Sequence, residues 1–519
     1  MRLTTPEIVE EAAKHLKNGK SDPIYAFSSD CFKNGTKKLF NILAVALRSF
    51  LVHGSISVYL LLATLVPIIK DRLGSIQSSK NYRSIAISSL VLKLLDWVFV
   101  LLFGDKLKLD DLQFAYQPGA STTMCTWSAI ETVGYFLRNG SEVFSCLMDM
   151  TKAFDLVQHS LLFQKLICAG IPRIFIRIIV FIYMFQFANV RWSGVYSDFF
   201  SLCNGVRQGA IVGGILYCFY VNGMFEDLRR RGYGCRINGT YFGVFGYSDD
   251  TYLLAPSLEA LQEMLKICEA YALEHNLCFS TDPNPRKCKT KCLAFLHRDR
   301  KLKQLHLCGT PLPWVSEGIH LGNNFENKYN GMKHDMIIKR GKYITKNCEI
   351  LQEFFFSHPQ TRMRTNQIFN THFTGSPIWD IFTKEANMIE NSWNRSVRCM
   401  FDLPLQTHRS LIEPVSGVQH LKFLLIKRFL SFLNQIRNSP KCAPQQLLEY
   451  IKRDTRSITG SNLRNILMLT DKDDIDDISE IDIESLKYHE LDEAENWKVD
   501  AILELTDVKF NQATIDGFT

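Results

Sequence analysis

The chain has 519 residues, 46% of them hydrophobic, and a formal net charge of +7. That composition excludes a disordered or fibrous protein and leaves room for two to four structural units at roughly 100–200 residues each. The charge is asymmetric: residues 471–519 carry 16 Asp and Glu against 4 Lys and Arg, which leaves +19 on residues 1–470. A body that basic suits a polyanionic partner, of which nucleic acid is the commonest. The 15 cysteines show no disulfide framework, and residues 1–20 contain three Glu and no apolar core. Reduced thiols inside a cell are therefore expected.

Residues 8–16 and 41–51 have helical spacing around a loop at Ser21, Asp22 and Pro23, giving a helical extension over 1–60. Residues 66–83 read as a β-ribbon turning at Gly74, and 85–103 as an apolar helix. Residues 40–69, 85–103 and 171–190 are greasy, but each is interrupted by charge: Arg48, Lys93 with Asp96, and Arg173 with Arg177. They read as buried helices or strands rather than membrane spans. A helix over 122–137 follows the Pro118–Gly119 breaker, and 142–150 is a short apolar strand ending at Asp149. Helical spacing returns at 160–169 and stops at Gly170.

Residues 195–202 suit a strand and 209–228 a helix opened by glycine. Residues 235–255 suit a hairpin turning at 246–250, before an amphipathic helix at 258–273. Short strands are expected at 292–296 and within 318–325, then mostly helix from 330 to 440. Residues 441–519 are mixed, and the acidic run 471–484 reads as a solvated, mobile tail. No internal repeat is visible. The order of elements gives an α+β sheet with helices packed behind it.

Three carboxylates stand where a core strand avoids charge. Asp149 ends a strand of Val143, Phe144, Leu147 and Met148, and Asp249 and Asp250 lie in a turn between two apolar runs. A charge at the edge of an apolar sheet must be paired or bind a metal. Carboxylates from separate segments can hold two hard cations about 4 Å apart, the arrangement that activates a hydroxyl and stabilises a leaving oxygen in phosphoryl transfer. Asp is also a common turn residue, so the neighbouring motifs decide the reading.

Those motifs form an ordered set. Tyr247-Ser248-Asp249-Asp250 resembles the [YF]xDD box of reverse transcriptases. The stretch from Asp149 through Lys152, Ala153, Phe154, Asp155 and Val157 to His159 resembles the DxxKAFDxVxH signature of retroelement polymerases. More narrowly, it is similar to non-LTR, LINE-type retrotransposons, whose GVxQG and NYRPI boxes correspond to Gly205–Gly209 and to Asn81-Tyr82-Arg83-Ser84-Ile85, with Ser84 in place of Pro. His320-Leu321-Gly322 resembles the primer-grip turn. Ser376–Trp379, Trp393–Arg398 and Leu403-Pro404 resemble a thumb motif. A group II intron polymerase shares the core but fits these strings less well.

The resemblance implies a right-hand polymerase with fingers and palm over 61–326, a helical thumb over 327–440 and a C-terminal region over 441–519. It implies RNA-directed DNA polymerisation from a DNA primer on template RNA, using dNTPs and two Mg²⁺ ions, with Mn²⁺ able to substitute. Asp149 and Asp249 would be metal ligands and catalytic residues, with Asp250 a third. Phe154, five residues after Asp149, would lie under the incoming sugar and exclude a 2′-hydroxyl. Gln208 and Gly209 would line the nucleotide pocket, where a residue without a side chain lets the backbone approach a base pair. Arg83 and Lys70, the latter on the preceding strand, would hold the triphosphate, since Arg can clamp phosphate oxygens with two donors. Lys287 or Lys289 would approach the departing pyrophosphate, and Leu321 with Gly322 would grip the primer.

Asp155 and His159 read as structural, Asp155 as a cap of the following helix. Cys288, Cys292, His297, His306 and Cys308 match no trusted zinc spacing. No endonuclease or RNase H set is visible, so the nick that supplies the primer is expected from another part of the element. The expected location is intracellular, in the nucleus or a cytoplasmic ribonucleoprotein, without a membrane. The rival reading is a decayed or co-opted copy that binds nucleic acid without polymerising.

Overall fold

Side-chain capping decides where many of the helices begin. Thr5, Ser89, Ser121, Ser257, Thr383 and Ser457 each accept a hydrogen bond from a first-turn N–H with their hydroxyl. Each such cap is worth about 1 kcal/mol. The computed structural model describes residues 4–22, 27–71, 74–207, 209–370 and 373–472. Apart from residues 471 and 472, the acidic tail lies outside the described residues, as does Gln208.

The chain opens with helices α1 (Pro6–Lys14), α2 (Ser29–Lys33), α3 (Lys37–His53) and α4 (Val58–Leu61). Strands β1 (Leu62–Ile69) and β2 (Tyr82–Ile87) come next, before α5 (Leu90–Phe103) and α6 (Thr122–Arg138). Strand β3 (Val143–Met148) leads to α7 (His159–Cys168), α8 (Arg173–Met184), β4 (Phe187–Trp192), β5 (Val195–Tyr196), β6 (Phe200–Ser201) and α9 (Ile211–Arg231). After the short pair β7 (Arg236–Ile237) and β8 (Thr240–Tyr241) come β9 (Val244–Tyr247), β10 (Asp250–Ala255), α10 (Leu258–Glu274) and β11 (Lys291–Phe295). Two hairpins follow, β12 (His306–Leu307) with β13 (Thr310–Pro311), and β14 (Glu317–His320) with β15 (Asn323–Glu326). The rest is helical: α11 (Lys333–Glu353), α12 (Pro359–Phe369), α13 (Lys384–Met400), α14 (Ile412–Ser416), α15 (Leu421–Arg437), α16 (Cys442–Ile451) and α17 (Ile458–Thr470).

Two sheets organise these elements. The order β11-β3-β10-β9 makes a four-stranded antiparallel sheet, and β2-β1-β4-β5, with β6 beside β4, makes a second sheet in which β1 and β4 run parallel. Most of β3 is buried, so the strand reads as an apolar run rather than an alternation. Helix α6 is buried nearly all round from Met124 to Gly134, with the Trp127 ring fully enclosed. Enclosing an aromatic or a leucine of this core contributes roughly 1.5–3 kcal/mol each.

The expected α+β architecture holds, with local differences. The apolar run at 85–103 is a strand end and a helix, divided where Ser89 caps α5 through Leu92 N–H. The expected strand at 195–202 is two two-residue pieces on β4. Among the described residues no helix is long and apolar enough to cross a membrane.

The region after residue 440 holds α16 and α17, packed on α6. Glu131, buried in α6, accepts from the Thr459 N–H at 2.9 Å, the Thr459 hydroxyl at 2.7 Å and the Tyr329 hydroxyl at 2.9 Å. Trp127 Nε1 donates to the Thr459 hydroxyl and Arg138 Nε to Asp454, both at 2.9 Å.

Candidate active site

Strand β3 delivers Asp149 to the edge of the four-stranded sheet. Its N–H reaches the Thr290 hydroxyl at 3.4 Å, and its carbonyl accepts from Ser280 N–H at 2.7 Å. Oδ2 of Asp149 is buried without a hydrogen-bond partner, and Lys289 Nζ stands 3.5 Å from it. Of the two lysines left open by the sequence, Lys289 is thus the one beside the carboxylate. Lys287 is exposed in the preceding turn.

The other two carboxylates come from the turn between β9 and β10. Ser248 and Asp249 are its two turn residues, and Ser248 has a left-handed φ of 62°. Such a backbone needs support, and Ser248 N–H donates to Gln113 Oε1 at 3.1 Å while Phe114 N–H donates to the Gly246 carbonyl at 2.8 Å. Gly246 is required here, since a Cβ would lie 2.4 Å from the Phe225 ring. The register Thr251↔Met148 brings Asp250 alongside Asp149. Burial raises the Asp249 carboxyl, with Asp149 adding to the rise and Arg83 opposing it. Burial, then Asp249 and Asp149, push Asp250 up to about 6, again against Arg83.

Among the described residues no three His, Cys, Asp or Glu side chains already form a metal cage. The donor set nonetheless fits a cation. One carboxylate oxygen is buried without a hydrogen-bond donor, two neighbours are raised by burial and by the nearby carboxylates, and hard divalent ions take such oxygens.

The Asp149–His159 loop and the Gly205–Gly209 loop pack on each other. Gly205 has φ 82°, and a Cβ there would sit 2.6 Å from the Phe154 carbonyl, which accepts from Val206 N–H at 2.8 Å. His159 Nε2 donates to the Gly205 carbonyl at 2.8 Å, in keeping with a structural role. Asp155 does not cap α7, whose N-cap is Gln158, because the chain makes three more residues of turn and loop before the helix starts. Phe154 is half-buried and stacks on Tyr217 of α9 at 4.7 Å and 24°.

Arg83 lies exposed on β2 opposite Ile68, where its charge acts on Asp249 and Asp250. Lys70 lies one residue beyond β1 rather than on it, because the Asn81 side chain closes the ribbon there, bonding the Asp71 N–H and carbonyl at 2.9 and 2.8 Å. Gly209 has φ 111°, and the close approach its missing side chain permits is to the Ala86 carbonyl of β2, 2.5 Å from a Cβ. Leu321 and Gly322 form the tip of the β14–β15 hairpin, both left-handed.

The sequence reading missed the support beneath these loops. Arg207 is buried and faces Asp96 of α5 at 3.8 Å, and Asp96 Oδ2 accepts from Ile211 N–H at 3.2 Å. The pair therefore braces the loop entering α9. The available signal was Asp96 itself, a carboxylate inside an apolar helix that must find a partner. Cys288 and Cys292 are buried core thiols.

A family model described as reverse transcriptase (RNA-dependent DNA polymerase) matches residues 70–322, which contain all of these loops. The Pol polyprotein of the type-1 retrotransposable element R2 of Bradysia coprophila is 28% identical over 229 residues, 43% of this chain and 25% of that protein. Its counterpart in Nasonia vitripennis is 26% identical over 161 residues, 31% of this chain and 15% of that protein. The chain thus spans a quarter or less of these relatives' length. A solved apo telomerase of Candida tropicalis, truncated from its C-terminal domain, aligns at 14% identity and TM-score 0.34, covering 56% of this chain and 59% of that one. With an aspartate-tipped strand beside a YSDD hairpin, residues 70–322 match the reverse transcriptase family and are similar in sequence to these R2 retrotransposon proteins.

Proposed function

We infer that the chain is an RNA-directed DNA polymerase, extending a DNA primer on template RNA with dNTPs. The observation that carries this is the buried Asp149 Oδ2, which accepts no hydrogen bond, beside the raised carboxyls of Asp249 and Asp250. Two Mg²⁺ ions bound by Asp149, Asp249 and Asp250 would supply the positive charge that favours an ionised primer 3′-hydroxyl and a departing pyrophosphate. Arg83 and Lys70, at one end of the β1–β2 ribbon, bind the triphosphate. Lys289 neutralises the pyrophosphate side of Asp149. Phe154, held by Tyr217, closes the space at the sugar's C2′. Gln208 and Gly209 line the nucleotide pocket, and Leu321 with Gly322 steadies the primer end.

In this reading 61–326 serve as fingers and palm and 327–440 as thumb, with the primer nick made by another part of the element and the work done in a nuclear or cytoplasmic ribonucleoprotein. The test is primer extension by the full chain on an RNA template with Mg²⁺. Incorporation of dNTPs that stops in Asp149→Asn is expected. Duplex binding without any incorporation by the unaltered chain would overturn the reading in favour of a nucleic-acid-binding copy.

A further inference from the structure

Beyond the carboxylates, a buried ion pair lies in the first helix after residue 327. Asp335, the third residue of α11, is fully enclosed, and its two carboxylate oxygens face four donors. Oδ1 accepts from Asn324 N–H at 2.9 Å and from Asn324 Nδ2 at 2.8 Å. Oδ2 accepts from Trp379 Nε1 at 2.8 Å and faces Lys339 Nζ at 2.9 Å. Lys339, one helical turn along, is buried too and donates to Asn323 Oδ1 at 2.8 Å and to the Thr374 carbonyl at 2.7 Å. The backbone at Gly375 closes on this group so tightly that a Cβ would lie 2.1 Å from Asn323 Oδ1.

Asn323 and Asn324 are the first two residues of β15, immediately after the Leu321–Gly322 turn. A buried ion pair satisfied on every side stabilises a fold little better than an apolar cluster, and its best-attested use is to specify one arrangement. Here the arrangement specified is the angle of a hairpin. The hairpin's other contacts fix β14 to the sheet that carries the carboxylates. A Cβ at Gly318 would meet Leu147, two residues before Asp149, at 2.8 Å, and His320 lies against the Tyr252 ring, two residues after Asp250, at 5.2 Å. Strand β14 of the hairpin is thus tied to the carboxylate strands and strand β15 to α11.

We propose that Asp335 is a positioning residue for the primer terminus: through Asn324 it makes the Leu321–Gly322 turn and helix α11 one rigid body, so that the strand held by the helical region and the 3′ end set beside Asp149 keep a fixed spacing. The ligand is the primer strand of a nucleic-acid duplex, and the inference rests on the polymerase reading above. It separates two affinities. The nucleotide-binding residues Arg83, Phe154 and Lys289 make none of these bonds, so loosening Asp335 affects primer and not dNTP.

The experiment uses the full chain, Asp335→Ala and Asn324→Ala, a DNA primer on an RNA template, and Mg²⁺. KM for primer–template and KM for dNTP are measured separately, together with equilibrium duplex binding and amide hydrogen exchange across residues 317–326. Asn324→Ala keeps the backbone bond to Asp335 and decides the matter if Asp335→Ala does not fold. The expected result is a primer–template KM raised about fivefold, the worth of one hydrogen bond, with dNTP KM within about twofold and faster exchange in the hairpin. Faster exchange with unchanged primer–template KM overturns the proposal. So does a parallel rise of both KM values with a lowered Tm, which is the mark of a merely structural group. An unaltered chain that incorporates no dNTP overturns the polymerase reading instead, and the duplex-binding comparison then decides this proposal by the same criterion.

Discussion

At the scale of single residues the site separates chemistry from support. Asp149→Asn removes charge and little volume, so extension should fall on the order of 10³-fold or more while duplex binding persists. A quantitative gel of primer extension beside a filter-binding curve checks this, and joint loss of both would point to misfolding. Phe154→Val should admit ribonucleotides, because the ring stacked on Tyr217 is what would close the sugar pocket. A variant that extends with dNTPs yet still rejects rNTPs would remove Phe154 from that role.

These residues were legible because each lies in a short local string: Asp149 at the end of an apolar strand, and Asp249 and Asp250 in a two-residue turn. The choice between Lys287 and Lys289 was not legible. Cys288 and Thr290 point inward and the two lysines share the outward face, so only the distance to Asp149 distinguishes them.

At the scale of elements, the loops are held by partners far away in sequence, which explains why the sequence did not reveal them. Asp96 and Arg207 lie on α5 and on the loop before α9. Asp96→Ala would leave a buried guanidinium without its counter-charge and should destabilise the fold by about 3 kcal/mol, read from urea unfolding midpoints. A change under about 0.5 kcal/mol would mean that water already satisfies Arg207.

The β14–β15 hairpin carries its own pH signature. Burial lowers the His320 imidazole to about 3, from an ordinary value of 6.5. Between those values the unfolded chain binds a proton that the folded chain refuses, so stability is retained above about 6.5 and declines as pH falls toward 3. The slope is at most about 1.4 kcal/mol per pH unit. Denaturation curves of the parent and His320→Gln across that window should converge at low pH, and parallel curves would contradict the assignment.

For the molecule as a whole, the basic body predicts salt-sensitive nucleic-acid binding. A plot of log K against log salt should fall with a slope steeper than about −3, as when several phosphates are neutralised. A flat plot would remove electrostatics as the source of affinity. The α+β architecture was readable from periodicity and breakers, whereas β4 (Phe187–Trp192) was not, because its residues continue the apolar run of α8. The joining of the C-terminal helices to α6 was not, because Glu131 and Thr459 are 328 residues apart and neither belongs to a recognisable string.

That joint bears on how copies of such a sequence decay. A stop codon shortly after residue 440 would spare every motif by which the polymerase is recognised, yet Glu131 would lose both Thr459 donors and Arg138 would lose Asp454. The face of α6 that those helices cover would be left open, with Glu131 and Arg138 short of these partners. Such a truncated gene would still read as a polymerase and would encode a chain that does not close its core. For this lineage, an open frame through residue 470 is a stricter sign of a working copy than an intact set of aspartates.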